Sequence, residues 1–162
     1  MRFRYFWLLS FTLLLLFSGC REPEANKTES ALIVWKTPSL RYADMGFISE
    51  RSGGLDIEIY DSGKAVMRLK VDREAVCTGA YRCMSKHRFN QKFLSGGYPD
   101  DTLERIFRGE KIFAGLGLLE KRNGFTQKIE KAGCCRIDYR VFNNQIIFRD
   151  TINQIFIKVK RQ

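Results

Sequence analysis

Five cysteines are the residues of this 162-residue chain whose type and spacing could do chemistry. Cys77 and Cys83 lie six residues apart, and Cys134 and Cys135 are adjacent. In an oxidising compartment these four thiols are typical of two disulfide bonds, for which three pairings exist. Adjacent cysteines on a strand point to opposite faces, so a bond between them closes a strained ring. We therefore favour bridges between the 77/83 segment and the 134/135 pair, each worth about 4 kcal/mol through loop closure.

Metal binding and catalysis are weaker interpretations of the same residues. The spacing between Cys77 and Cys83 is wide for a zinc ligand pair, and adjacent ligands are unusual. His87, the only histidine, lies between two basic residues, as on the surface of a basic helix. The sequence contains no G-x-S-x-G elbow, no Gly-rich phosphate loop and no H-E-x-x-H motif. We therefore expect a protein that is not an enzyme and that uses no metal and no cofactor.

The N-terminal segment carries a second chemical signal, which ends at Cys20. Two arginines precede an apolar run of about 13 residues, shorter than the ~20 that a helix needs to cross a bilayer. A Ser-Gly pair then precedes the cysteine. This order resembles the signal peptide and lipobox of bacterial lipoproteins. The resemblance implies that residues 1–19 are removed and that Cys20 receives a diacylglyceryl group, which anchors the protein to a membrane.

The residues that follow Cys20 extend this interpretation. In lipoproteins of enteric bacteria an aspartate at the next position retains the protein in the inner membrane, and here that residue is Arg21. The resemblance therefore implies the outer membrane, with the domain facing the periplasm or the cell surface. A conventional signal peptide with an incidental cysteine and an uncleaved anchor are the alternatives. Residues 20–30 are polar and lack periodicity, which predicts a flexible tether, and residues 31–162 are long enough for one domain.

The charge of the chain limits its partners. The 28 Lys and Arg against 18 Asp and Glu give a net charge of +10, and removal of two leader arginines lowers it to +8. Nucleic acid is the usual partner of such a chain, but an exported lipoprotein meets phospholipid headgroups, lipopolysaccharide and peptidoglycan instead. We therefore expect the membrane, lipids or other lipoproteins as partners, and no nucleic acid. Basic residues near a membrane gain attraction to anionic headgroups, although dispersed lysines and arginines can also serve solubility alone.

Alternating apolar residues predict that most of the domain is β-sheet. Residues 55–59 and 67–71 alternate apolar with charged residues around an Asp-Ser-Gly turn, which predicts a hairpin. Further strands are expected at 32–35, 42–50, 137–141, 145–149 and 155–159. Residues 83–94 change to a helical period. A second helix is expected from Asp101, in a capping-box pattern with Glu104, to Gly109.

Between these helices and the later strands lies an uncharged segment, residues 112–119, with two glycines. We expect it to be either a buried strand or core-covering loop, or a mobile apolar segment that touches acyl chains or membrane. Its apolar residues are Ile112, Phe113, Leu116, Leu118 and Leu119. Strands, two helices and strands in this order predict an α+β fold, a curved antiparallel sheet that forms an incomplete β-barrel.

The order of elements resembles that of the LolB-type outer-membrane lipoprotein receptors. The short helix at 99–109 and the final strands at 146–150 and 155–160 carry the resemblance. It implies a non-enzymatic lipoprotein whose half-barrel binds an acyl chain or a lipidated partner in an apolar cavity. The alternative is a structural or protein-interaction lipoprotein with no small ligand. The inward residues expected to line the cavity are Leu55, Ile57, Ile59, Met67, Leu69, Ile137, Tyr139, Ile155 and Ile157.

Overall fold

A computed structural model of the protein describes residues 27–162. The predicted leader and the predicted lipidation site Cys20 lie outside the described residues. The first strand begins at Lys27, so the last four residues of the segment expected to be a tether belong to the sheet. Within the described range, no helix is sufficiently long and apolar to span a membrane.

Eleven strands form one antiparallel sheet that is not closed, in the order β6-β5-β4-β3-β2-β1-β11-β10-β9-β8-β7. Most neighbours in the sheet are consecutive in the chain and are joined by hairpins, which antiparallel pairing permits. The exception is the central pair of β1 and β11, the first and last strands of the described chain. The strands are β1 (Lys27–Lys36), β2 (Arg41–Arg51), β3 (Gly54–Asp61), β4 (Lys64–Val71), β5 (Ala75–Thr78), β6 (Arg82–Ser85), β7 (Leu118–Lys121), β8 (Gly124–Lys131), β9 (Cys135–Phe142), β10 (Gln145–Asp150) and β11 (Ile155–Arg161).

The predicted hairpin of β3 and β4 is confirmed, with the expected faces. Ile57 lies opposite Leu69 on the inner face, and Glu58 lies opposite Arg68 on the outer face. Their outer charges contact each other, with 3.3 Å between Arg68 Nε and Glu58 Oε1. Because side chains alternate along a strand, a single register buries the whole apolar set.

Two short helices cross the inner face of the sheet, α1 (Lys86–Phe93) and α2 (Thr102–Arg108). We call residues 86–109, from the start of α1 to the end of α2, the helical cover. Ser85 caps α1 by accepting a hydrogen bond from the backbone N–H of Arg88 at 3.3 Å. Gly109 ends α2 in the left-handed region, with φ 72°, as predicted.

The predicted capping box at the start of α2 is wrong. Asp101 makes no side-chain hydrogen bond to the backbone of the helix. Its carboxylate instead accepts a hydrogen bond from Arg105 Nε, one turn later. Glu104 does not turn back to cap the helix either, because Lys86 and Arg108 both donate to its carboxylate.

The predicted disulfide pairing is also wrong. Cys77 and Cys83 form a disulfide with each other, and Cys134 and Cys135 are free thiols. The reason is the short hairpin of β5 and β6, which the sequence pattern did not reveal and which places Cys77 directly opposite Cys83. Residues 82–85 are therefore strand, and the helix that we expected from residue 83 begins at Lys86.

Candidate functional site

The inner face of the sheet is the candidate site, and the residues predicted to line a cavity lie there. Eight of the nine are buried, and Met67 is partly exposed. Ile57, Ile59, Tyr139 and Ile157 have no exposed surface, so the space around them is filled by neighbouring side chains. With the helical cover in place, the residues predicted to line a cavity belong to a packed core.

Side chains of the helical cover supply the opposite wall of this core. Phe107 of α2 packs against Trp35 of β1, with 5.6 Å between ring centroids. Tyr98, in the loop between the helices, packs edge-on against Phe148 of β10 at 6.0 Å. Aromatic pairs at such distances add to the free energy gained by burial. The cover therefore occupies the space that an apolar ligand on the inner face would need.

Among residues 27–162, two buried polar side-chain atoms in this interface have no hydrogen-bond partner. They are the indole Nε1 of Trp35 and the hydroxyl Oγ1 of Thr102, the first residue of α2. Both residues have 0% exposure. Buried polar atoms are nearly always paired, because each unpaired one costs about 1–3 kcal/mol. The contact between α2 and the sheet is thus the part of the described core where polar groups are left unsatisfied.

One end of the cover is held by two arginines, which with Glu50 we call the arginine anchor. Arg108 of α2 donates to the Glu50 carboxylate and to the backbone oxygen of Gly54, both at 2.9 Å. Arg161 of β11 donates to the backbone oxygen of Phe107 at 2.7 Å. The side chains of Arg108 and Arg161 are 18% and 15% exposed. Charged groups at the edge of the core thus fix the C-terminal end of α2.

The loop between the helices is held by a buried carboxylate at the far end of the sheet. The Tyr98 hydroxyl donates to Asp150 at 2.5 Å, and Asp150 is 1% exposed. We call this pair, with its donors, the tyrosine anchor. Asp150 also accepts hydrogen bonds from the side chain of Asn153 and from the backbone N–H groups of Arg136, Ile152 and Asn153.

The hydrogen bonds set the ionisation of this carboxylate. Burial alone would raise the pKa of Asp150, but hydrogen bonds from Tyr98 and Asn153 and from backbone N–H groups lower it below its ordinary value. Burial, followed by the hydrogen bond to Asp150, raises the pKa of Tyr98. The anchor therefore holds a charged carboxylate and a neutral phenol at neutral pH.

The predicted mobile apolar segment is divided between core and solvent. Ile112 is buried, Phe113 and Leu118 are partly buried, and Leu116 and Leu119 are more than half exposed. Buried Gln127 of β8 fixes the segment through three hydrogen bonds of 2.9 Å, to the backbone N–H and oxygen of Ile112 and to the oxygen of Leu116. The beginning of the segment, at Ile112, thus packs on the core next to the helical cover, whereas Leu116 and Leu119 further along face solvent.

Sequence reasoning missed the polar residues that hold the cover in place. Gln127 lies between buried Phe125 and Ile129, and Asp150 follows buried Phe148 at the next inward position. A polar residue at an inward position of an alternating strand is the signal that could have identified both, because a buried polar group needs a specific partner. Arg108 and Arg161 carry no such signal, since each lies near the end of its element.

The outer face of the sheet carries a groove on its later strands and exposed apolar residues on its earlier ones. Strands β9 to β11 carry a groove of about 360 Å³. The earlier strands expose Leu32, Phe47 and Val66. The groove residues are Asp138, Arg140, Ile147, Arg149, Phe156 and Lys158.

Residues 27–162 bring together no three histidine, cysteine or acidic side chains that could hold a metal ion. His87 is exposed and lies 3.4 Å from the Asp100 carboxylate. The sequence matches no family model, and a search of curated proteins finds no relative.

Proposed function

We propose that this protein is a non-enzymatic lipoprotein of the bacterial envelope that binds an acyl chain, from a lipid or a lipidated partner, between the helical cover and the sheet. The observation that carries the proposal is an unclosed sheet whose apolar inner face is covered by two short helices instead of by further strands. Such a cover can move away without breaking the pairing of any strand.

The free energy lost when the cover leaves the sheet is similar to that gained when an acyl chain takes its place. The apolar side chains of the cover that are buried include Phe89, Leu103, Ile106 and Phe107. At about 1.5–3 kcal/mol each, their burial is worth roughly 6–12 kcal/mol. An acyl chain of about 16 carbons, at ~0.8 kcal/mol per methylene, returns roughly 12 kcal/mol when it takes their place. Uptake of an acyl chain from water therefore needs little net energy once the arginine anchor releases.

The unpaired polar atoms support the position of the ligand. Trp35 Nε1 and Thr102 Oγ1 are the groups that an ester or carboxyl oxygen at the head of an acyl chain would satisfy. Each new hydrogen bond contributes about 1 kcal/mol and removes the cost of an unpaired group. We place the polar end of the ligand next to α2 and its hydrocarbon along the inward residues of β3, β9 and β11.

Trp35 also provides the test of binding. In the full chain with Trp7→Phe, reconstituted in nanodiscs, Trp35 is the only tryptophan left. Titration with dibrominated stearate should quench its fluorescence in a saturable manner, because bromine quenches on contact. A matched control carries Trp7→Phe, Trp35→Phe and Phe47→Trp, which moves the only tryptophan to the exposed outer face. Equal, non-saturating quenching in both proteins would contradict the proposal.

The membrane anchor is tested separately. Mass spectrometry of protein extracted from membranes should show a chain that begins at Cys20 and carries acyl groups. A chain that retains residues 1–19, or an unmodified Cys20, would contradict the envelope address and would leave the binding measurement unaffected.

A second candidate is a structural or protein-interaction lipoprotein without a ligand. The burial of eight of the nine predicted lining residues favours it, as does the groove on the outer face, whose residues include three basic side chains and one acidic one. An intact fold with no saturable quenching of Trp35 would select this candidate.

A further inference from the structure

Two free thiols lie together at the turn between β8 and β9. Only Cys135 lies on a strand, at the start of β9, whereas Cys134 is part of the turn, so the two side chains do not point to opposite faces and their sulfur atoms are 3.3 Å apart. Cys134 is partly exposed, whereas Cys135 is 1% exposed. One sulfur can therefore meet a reagent from solution, and the second is within reach of the first.

The thiol pair also contacts the helical cover. Cys134 Sγ donates to the backbone oxygen of Gly97, in the loop between α1 and α2, at 3.4 Å. A Cβ atom at Gly97 would come within 2.7 Å of that sulfur, so glycine is needed for this approach. The backbone oxygen of Cys134 accepts a 2.8 Å hydrogen bond from Asn153, which also donates to Asp150. The thiols thus lie between the tyrosine anchor and the loop that this anchor holds.

We propose that Cys134 and Cys135 form a redox-active vicinal dithiol, which closes to a disulfide by exchange with an oxidised dithiol and thereby withdraws the Cys134 thiol from Gly97. The proposal holds whether or not the protein takes up an acyl chain. Cys77 and Cys83 are already joined in the same chain, whereas Cys134 and Cys135 are both free thiols.

The exchange proceeds in two balanced steps. Cys134, as a thiolate, attacks one sulfur of the oxidant's disulfide, which forms a mixed disulfide and releases one thiolate of the oxidant. Cys135 then loses its proton and attacks Cys134 Sγ, which closes the Cys134–Cys135 bond and releases the second thiolate. The oxidant gains two electrons, and the protein loses two electrons and two protons.

The environment assigns the order of the two steps. Burial, together with the neighbouring Cys134 and Asp150, raises the pKa of Cys135 to about 12. A thiol attacks only as its thiolate, so Cys135 is a slow first nucleophile. Once Cys134 carries a mixed disulfide, the attack by Cys135 is intramolecular and no longer depends on encounter with the oxidant.

The experiment uses the full chain in detergent, equilibrated with reduced and oxidised dithiothreitol, acid-quenched, alkylated and digested for mass spectrometry. We expect both cysteines to be alkylated under reducing conditions and a Cys134–Cys135 disulfide, two hydrogens lighter, under oxidising conditions. The Cys77–Cys83 peptide is the internal control for disulfide recovery. Two thiols that stay alkylatable throughout, or a bond between chains, would overturn the proposal.

A second reagent keeps the test independent of any variant. Phenylarsine oxide bridges two free thiols that lie close together, so it should protect both cysteines of the reduced native chain from alkylation. Cys135→Ser, given oxidised glutathione, should stop at a mixed disulfide on Cys134. Absence of arsenical protection in the native chain overturns the proposal even if the variant fails to fold.

The link to the cover is measured by hydrogen exchange on the native chain in both redox states. We expect the amides of residues 95–101 to exchange at least threefold faster after oxidation, with the β3–β4 hairpin unchanged. Equal exchange in both states would overturn the link to Gly97.

Discussion

The arginine anchor and the tyrosine anchor hold the same helical cover with opposite chemistry. Arg108 and Arg161 lie at the edge of the core and share their charge among carboxylates and backbone oxygens. Asp150 is enclosed and satisfies five hydrogen-bond donors with one carboxylate. The two ends of the cover thus differ in how far water reaches the charged groups that hold them.

The difference in burial determines which end opens first. The side chains of Arg108 and Arg161 are 18% and 15% exposed, so water can partly replace a partner that either of them loses. A buried charge that loses a partner costs several times more, because no water replaces it. We therefore expect the cover to open at the arginine anchor and to remain attached at the tyrosine anchor.

The largest effect is expected from Asp150→Ala. The substitution leaves the Tyr98 hydroxyl and several N–H groups without an acceptor in a buried site, so we expect a loss of about 3–5 kcal/mol in the free energy of unfolding. Urea denaturation measures this loss. Asp138→Ala, on the outer face, is the control and should cost less than about 1 kcal/mol. Equal losses would show that the tyrosine anchor is not the firm end.

Tyr98→Phe removes one donor and keeps the ring in the core. The carboxylate retains its other four hydrogen bonds, so we expect a smaller loss, about 1–2 kcal/mol. The shift of the urea denaturation midpoint, at an unchanged dependence of the unfolding free energy on urea concentration, measures this loss. A loss as large as that of Asp150→Ala would show that the hydrogen bond from Tyr98 alone accounts for the contribution of the tyrosine anchor to stability.

Acid should weaken the tyrosine anchor in a defined direction. The folded-state pKa of Asp150 lies below its ordinary value, so its stabilisation is complete above the unfolded value of about 4 and is lost as pH falls through the folded pKa. Asp150→Asn removes this contribution. The stability difference between native protein and Asp150→Asn should therefore shrink below about pH 4. A difference that stays constant or grows on acidification would contradict the ionised state of Asp150.

Arg108→Ala removes the main contact of the arginine anchor with α2. We expect a global loss of about 1 kcal/mol, because the side chains of Arg108 and Glu50 are still 18% and 30% exposed and water can partly replace their hydrogen bond. The amides of α2 should nevertheless exchange several-fold faster, since the helix can then open without unfolding the sheet. Exchange that increases equally in α2 and in the β3–β4 hairpin would show that the arginine anchor supports the whole fold instead.

The smallest effect is expected at the start of α2. Asp101→Asn removes an exposed pair with Arg105 and no helix cap, so we expect a loss of about 0.3 kcal/mol. A loss near 1 kcal/mol, typical of N-cap substitutions, would restore the capping role that the structure does not support.

The sequence predicts the fold well where alternation is regular. Leu55, Ile57 and Ile59 are buried as their spacing predicts, and Gly109 ends α2 as expected. The unclosed sheet with two short helices confirms the predicted fold class. Strand β5 has only four residues, too few for a period to be recognised, and the hairpin that it begins decides the pairing of Cys77.

The candidate site was less predictable, because it depends on contacts between residues distant in sequence. Asp150 meets Tyr98 across 52 residues, and Arg108 meets Glu50 across 58. Periodicity reports which face a residue occupies, but it does not report which loop covers that face. The sequence therefore predicts that Leu69 and Ile137 point inward. It does not predict that the helical cover packs over these side chains.

The most direct test of a displaceable cover is the quenching of Trp35 by dibrominated stearate. The two proteins compared are the Trp7→Phe variant and the same variant with Arg108→Ala in addition. If the arginine anchor restrains the cover, quenching should saturate in both proteins, with an apparent dissociation constant about fivefold lower in Arg108→Ala, since about 1 kcal/mol less is needed for opening. Trp35 fluorescence that remains unquenched in both proteins, while the exposed tryptophan of the control is quenched, would contradict an acyl-binding inner face.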